Sequence, residues 1–279
     1  MPPLSPLEIQ TLDSLVAFLS SPLPYFEVSP PSAPRQQIDI IAVAGNWYDV
    51  PHKAMRLARA ARNRPQATLL LTGGRAERLT PPEAVALGGE PMLLQSVLSE
   101  NHGIEKKRMV VYTGSRITNH NLQAMLMFSA TAHSYERRAV SLQLYEEAFL
   151  VRREAAALHV MMRRSDLAPA ARALSSVRVR PVGPRTFAGL TAAHGGHADV
   201  ALALVLGELS RLRSYSKPAV NSTSIDDVTL PAAAASLPDD KLRDDIARLW
   251  AAHRDGMLAS GNALLRQPER LFAVGAAPK

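Results

Sequence analysis

The feature that most constrains this chain is an alternation. Short apolar runs recur between stretches of helical periodicity. The runs are Asp39–Ala44, Ala67–Thr72, Met109–Tyr112 and Val140–Tyr145. Each is followed by a predicted helix, over Val50–Asn63, Glu90–His102, Thr118–Thr131 and Glu147–Arg164. Strands separated by helices pair in parallel, because a crossover returns the chain to the same end of the sheet. Parallel strands covered on both faces read as continuous apolar runs, and the four runs fit. A fifth, Ser176–Val182, alternates with period two, which predicts an edge position. The expected fold is α/β, Rossmann-like and three-layered (α/β/α), with a mainly parallel sheet over residues 38–190.

The flanks read differently. Residues 5–20 have the apolar spacing of an amphipathic helix, and a proline-rich linker runs on to residue 37. Residues 191–279 form a C-terminal helical portion, expected to pack on the same domain, with helices over 198–215 and 238–258 and a loop over 216–236. No apolar run reaches about 18 residues, so no membrane-spanning helix is expected. The first ten residues lack the basic and apolar regions of a secretory leader. With no cysteine at all, disulfides and thiolate metal sites are excluded, and a cytoplasmic location is expected.

The chemistry gathers at the strand ends. The first strand runs into Gly45-Asn46, the second into Thr72-Gly73-Gly74-Arg75, the third towards Ser115, and the fourth into Glu146-Glu147. In a parallel sheet these carboxyl ends share one edge, and ligands bind outside it where strand order reverses. Glycine there lets a ligand approach the backbone. The same glycines also suit any strand-to-helix turn. Neither a dinucleotide-type G-x-G-x-x-G nor a Walker-type phosphate loop is present.

Glu90, Glu146 and Glu147 can bring carboxylates to that edge, to accept from ribose hydroxyls or an amino group. Neighbouring strand residues point to opposite faces, so one of the last two is expected to face the cleft, and Glu147 is the choice. Arg152 and Arg153 can pin a carboxylate or lie on a solvated helix face. Ser115, Thr118 and Asn121 stand at i, i+3 and i+6; Thr118 serves as a helix cap, as a ligand contact, or as both. His120 and Glu147 are the catalytic candidates, as an acid–base pair across the cleft. His194 and His197 flank two glycines with no third ligand, so no metal is expected.

A formal net charge of +7 raises the question of nucleic acid. The arginines are spread along helices, and aromatics make up only 5% of the chain, leaving few stacking platforms. Both points argue against a nucleic-acid partner.

The ordered set 38-IDIIAVAGN-46, 69-LLLTGG-74, Glu90, 115-SRITNHN-121, 146-EEAFLVRR-153 and 207-GELSRLR-213 resembles the YdcF/SanA/ElyC family, and within it the soluble YdcF-like branch. The resemblance spans about residues 10 to 260. It departs at Ile117, where the family has Asn, at His120, where it has Glu, and at Ala148, where proline is usual. What the resemblance implies is a Rossmann-like domain that binds S-adenosylmethionine or a related nucleotide-type, anionic small molecule, without a membrane anchor. Two other functions stay open: a small-molecule hydrolase or phosphotransfer enzyme using Glu147 or His120, and a noncatalytic regulatory or nucleic-acid-binding protein.

Overall fold

The computed structural model of the 279-residue chain describes residues 3–21, 37–44, 50–74, 87–115, 118–216 and 230–259. It divides into two compact units. One holds residues 23–147 and 154–183; the other holds residues 1–22, 148–153 and 184–279.

The first unit is the expected α/β layer. Its strands are β1 (Gln37–Ala44), β2 (Thr68–Thr72), β3 (Met109–Tyr112), β4 (Ala139–Glu147) and β5 (Leu174–Val182). They form one sheet in the order β3-β2-β1-β4-β5, every pair parallel. The order reverses between β1 and β4, which pair from Gln37 opposite Ala139 to Val43 opposite Tyr145. The period-two strand β5 lies at one edge, as its alternation predicts. The other edge is β3. There the expectation of burial fails, because Val110 and Tyr112 are exposed at a place with no outer neighbour.

Helices cover both faces. On one face, α2 (Val50–Asn63) and α3 (Glu90–His102) join Ala54, Leu57, Ala61, Leu94 and Leu98 to Ile41, Val43, Leu69 and Leu71 of the sheet. The other face takes α4 (Thr118–Glu136), which packs on β1, β2 and β4. Burying side chains of this size contributes roughly 1.5–3 kcal/mol each relative to exposure, and the buried stripes fix which face each helix presents. Arg108, just before β3, donates to the carbonyls of Ala61, Arg64 and Ala67, so one guanidinium ties the end of α2 to the start of β2. After β4 the chain passes through a single turn, Ala148–Leu150, into α5 (Val151–Met161), and α6 (Ala168–Ala173) precedes β5.

The second unit is helical. It contains α1 (Pro6–Ser20), α7 (Phe187–Ala193), α8 (Ala198–Tyr215), the short α9 (Ala232–Ala235) and α10 (Asp240–Ala259). Helix α1 starts with a capping box: Ser5 accepts from the Glu8 N–H, and Glu8 accepts from the Ser5 N–H at 2.7 Å. Its apolar stripe, Leu12, Leu15, Val16 and Leu19, is buried. Between α7 and α8 the His194–His197 segment is a turn, with Gly195 and Gly196 at φ of +66° and +84°. Within this unit Glu208 of α8 is fully buried. It pairs with Arg153 and lies 3.2 Å from Arg211. No helix among the described residues is long and apolar enough to cross a membrane.

Removing one partner of a buried pair leaves the other charge unmatched. Glu208→Ala is therefore expected to destabilise the protein by about 3 kcal/mol or more. Urea denaturation of the full chain measures it. A loss within experimental error of zero would show that Arg153 has no need of this partner.

Candidate functional site

The site is built where the strand order reverses. Helix α2 leaves β1 and brings Lys53 back under the carboxyl end of the sheet. Its ammonium donates to the Ala44 carbonyl at 3.1 Å. It lies 2.7 Å from Glu147 Oε1 and 3.6 Å from Glu146 Oε1, both at the end of β4. Lys53 is 1% exposed, Glu146 0% and Glu147 3%, so the group is closed off from bulk water. Both carboxylates thus meet one ammonium, against the expectation that only Glu147 would face inward. The reason is local: the Glu146 carboxylate folds back to accept the Glu147 N–H at 2.9 Å as the chain leaves the strand for the turn at Ala148.

The ends of β2 and β3 are locked together beside this group. Thr72 Oγ1 donates to the Val43 carbonyl at 3.1 Å. The Gly73 N–H donates to Tyr112 O at 3.0 Å, and the Ser115 N–H donates to Gly73 O at 3.1 Å. A Cβ on Gly74 would stand 1.6 Å from the Ser115 carbonyl oxygen, so only glycine fits. Gly89, at φ +125°, would carry a Cβ 3.2 Å from the Gly74 carbonyl, and it delivers Glu90 as the first residue of α3. Ser115 and Asn121 are 5% and 6% exposed. Among the described residues, Ser115 Oγ and Asn121 Oδ1 are buried without a hydrogen-bond partner, a costly state unless a ligand or water meets them.

Burial sets the electrostatics. It pushes the Glu90 carboxyl up; Lys53 pulls it down and Glu146 pushes it further up, and the result is about 7. Burial likewise holds Glu147 well above the usual carboxylate range, opposed by Lys53 and reinforced by Glu146. For Lys53 burial acts downward, but Glu147 and Glu146 outweigh it and keep the ammonium charged. Glu90, a carboxyl that titrates near neutrality in the field of a fixed ammonium, can exchange protons at working pH.

The expected residues divide into three groups. Thr72, Gly73, Gly74, Glu90, Ser115 and Glu147 belong to this edge, with Asn121 in the second turn of α4. Thr118 opens that helix, and His120 follows it, half-buried. Gly45, Asn46 and Arg75 lie outside the described residues. Arg152 and Arg153 belong to the helical unit. The Arg152 guanidinium sits 4.0 Å over the Phe18 ring and donates to Ala234 O at 2.7 Å, and Arg153 is engaged by Glu208. Lys53 was missed in the sequence, although a signal existed. It falls on the stripe with Leu57 and Ala61, four and eight residues on, and an ammonium on a buried stripe requires acids to face it.

A cleft of about 590 Å³ in the helical unit is lined by Ile9, Phe187, Thr191, His197 and Asp199 among others, but it contains no counterpart of the charged group on the sheet. No protein-family model matches the chain, and no curated protein matches it in sequence.

Glu90 links the site to pH. The folded protein holds its proton up to about 7, whereas the unfolded chain releases it near 4.5. The folded state therefore binds more protons between those values, and stability falls as pH rises through that window, then levels. The contribution is at most about 3 kcal/mol. Glu90→Gln is expected to flatten this slope, measured by urea midpoints between about pH 5 and pH 8. An unchanged slope would remove Glu90 as its source.

Proposed function

We propose that this chain is a YdcF-like protein that binds S-adenosylmethionine or a related nucleotide-type small molecule at the carboxyl ends of its parallel strands. The observation that carries the reading is the buried group of Lys53, Glu146 and Glu147, with Glu90 beside it, at the reversal between β1 and β4. Open α/β sheets bind ligands at that position. Carboxylates suit ribose hydroxyls and amino groups, and the unmet atoms of Ser115 and Asn121 supply further polar contacts. A cysteine-free composition suits a cytoplasmic setting.

One observation favours a second reading. Glu147 is buried, raised in pKa and 2.7 Å from an ammonium. That is the arrangement of a general acid or base with a fixed partner, as a small-molecule hydrolase or phosphotransfer enzyme requires.

Titration calorimetry of the purified protein separates the two. Under the first reading S-adenosylmethionine or its demethylated product binds saturably, with Kd below about 1 mM, and a nucleotide co-purifies in the mass spectrum of bound small molecules. Absence of binding at that concentration would refute it. Under the second, turnover of an ester or phosphate panel disappears in Glu147→Gln.

A further inference from the structure

The cleft in the helical unit combines apolar walls with a few polar side chains. Its volume of about 590 Å³ falls in the range of sites for small organic molecules, roughly 300–1,000 Å³. Leu4 and Ile9 enter its lining from the start of the chain, and Phe187 from the first position of α7. Three polar side chains, Thr191, His197 and Asp199, complete it, and no lysine or arginine is among the described residues that line it.

Two of the polar groups are unsatisfied. Thr191 follows Phe187 by four residues, so the two share a face of α7. Its hydroxyl oxygen is buried without a hydrogen-bond partner, which costs free energy unless another group meets it. Asp199 is the second residue of α8 and half-buried. It makes no ion pair with any described residue. An acid in a first turn suits the helix dipole, but that role asks only for solvent around it, and Asp199 stands instead on the lining of an apolar cleft.

The turn between α7 and α8 holds the two groups in place. The Gly196 N–H donates to the Thr191 carbonyl at 2.9 Å, and the Ala201 N–H to the His197 carbonyl at 3.2 Å. Gly195 and Gly196 supply the positive φ that lets the chain reverse so tightly. The resulting cleft has one acid and no fixed cation among its described lining, in a chain of formal net charge +7. Such a lining repels phosphates and carboxylates. It suits an ammonium on an apolar body, with the carboxylate taking the charge and the Thr191 hydroxyl accepting a second N–H.

We infer that this cleft is a second small-molecule site, separate from the sheet edge, and that it takes an arylalkylamine. The ammonium meets Asp199, the ring lies among Leu4, Ile9 and Phe187, and a ring N–H reaches Thr191.

Titration calorimetry of the full chain with tryptamine, N-acetyltryptamine and indole-3-propionate tests it, because the ring is kept while the charge is removed or reversed. Tryptamine is expected to bind with Kd below about 1 mM, about tenfold tighter than the acetylated probe, and indole-3-propionate weakest. Asp199→Asn is expected to bring tryptamine down to the affinity of the acetylated probe, and Thr191→Val to weaken both indoles that carry no carboxylate. Asp240→Asn, which removes an exposed acid of α10, is expected to change nothing, and circular dichroism checks the fold of each variant. Equal affinity of the three probes, full tryptamine binding by Asp199→Asn, or no tryptamine binding at about 1 mM overturns the inference. The sheet-edge reading is tested with other ligands and other residues, so its failure and this one are read separately.

Discussion

The structure depends on where an ammonium can be hidden. Lys53 is carried by the apolar stripe of α2 to a position under the sheet. There the Ala44 carbonyl ends β1, and Glu146 and Glu147 end β4. Taking such a charge out of water costs several kcal/mol, so the acids are a condition of this helix packing here. The pairing of β1 with β4 is also where the chain changes direction across the sheet, and at a reversal the two strand ends are left for other groups to fill. In this chain they are filled by charge. Well-packed apolar side chains in place of a buried ion pair are often as stable, so burial energy alone does not account for ions at this position.

A second buried ion group gives a useful contrast. In the helical unit, Glu208 sits between Arg153 and Arg211. One carboxylate there meets two guanidiniums, and Arg211 is partly open to water. At the sheet edge one ammonium meets two carboxylates, and all three are almost closed to water. Acids of raised proton affinity there share the strand ends with the unmet polar atoms of Ser115 and Asn121.

The sheet was legible because parallel strands covered by helices must be apolar on both faces, and few other patterns look like that. The edge position of β5 followed from its alternation. The edge character of β3 did not, because a four-residue strand of Met, Val, Val and Tyr reads the same whether or not its outer side is covered. The site was half legible. Glu90, Ser115 and Glu147 could be found as polar residues at strand and helix ends. Glu146 was set aside on the pleat, which governs Cβ direction but not where a two-carbon side chain returns. Arg152 and Arg153 stayed open between an anion clamp and a solvated helix face, because a sequence does not show which distant carbonyl or carboxylate will claim a long side chain. Lys53 was hidden among arginines and alanines, although its register with Leu57 and Ala61 was in view.

The glycines at the strand ends change meaning once the backbone is seen. As sequence they suggest a floor cleared for a ligand. In the structure the space a Cβ would take at Gly74 is already occupied by the Ser115 carbonyl, and that at Gly89 is crowded by Gly74. These residues let the ends of β2 and β3 and the start of α3 touch backbone to backbone. Their service to the site is indirect but specific. With side chains there, α3 could not start so close to the sheet, and Glu90 would not reach the field of Lys53 and Glu146. The small residues set the distances, and the ionisable ones, held at those distances, acquire altered proton affinities.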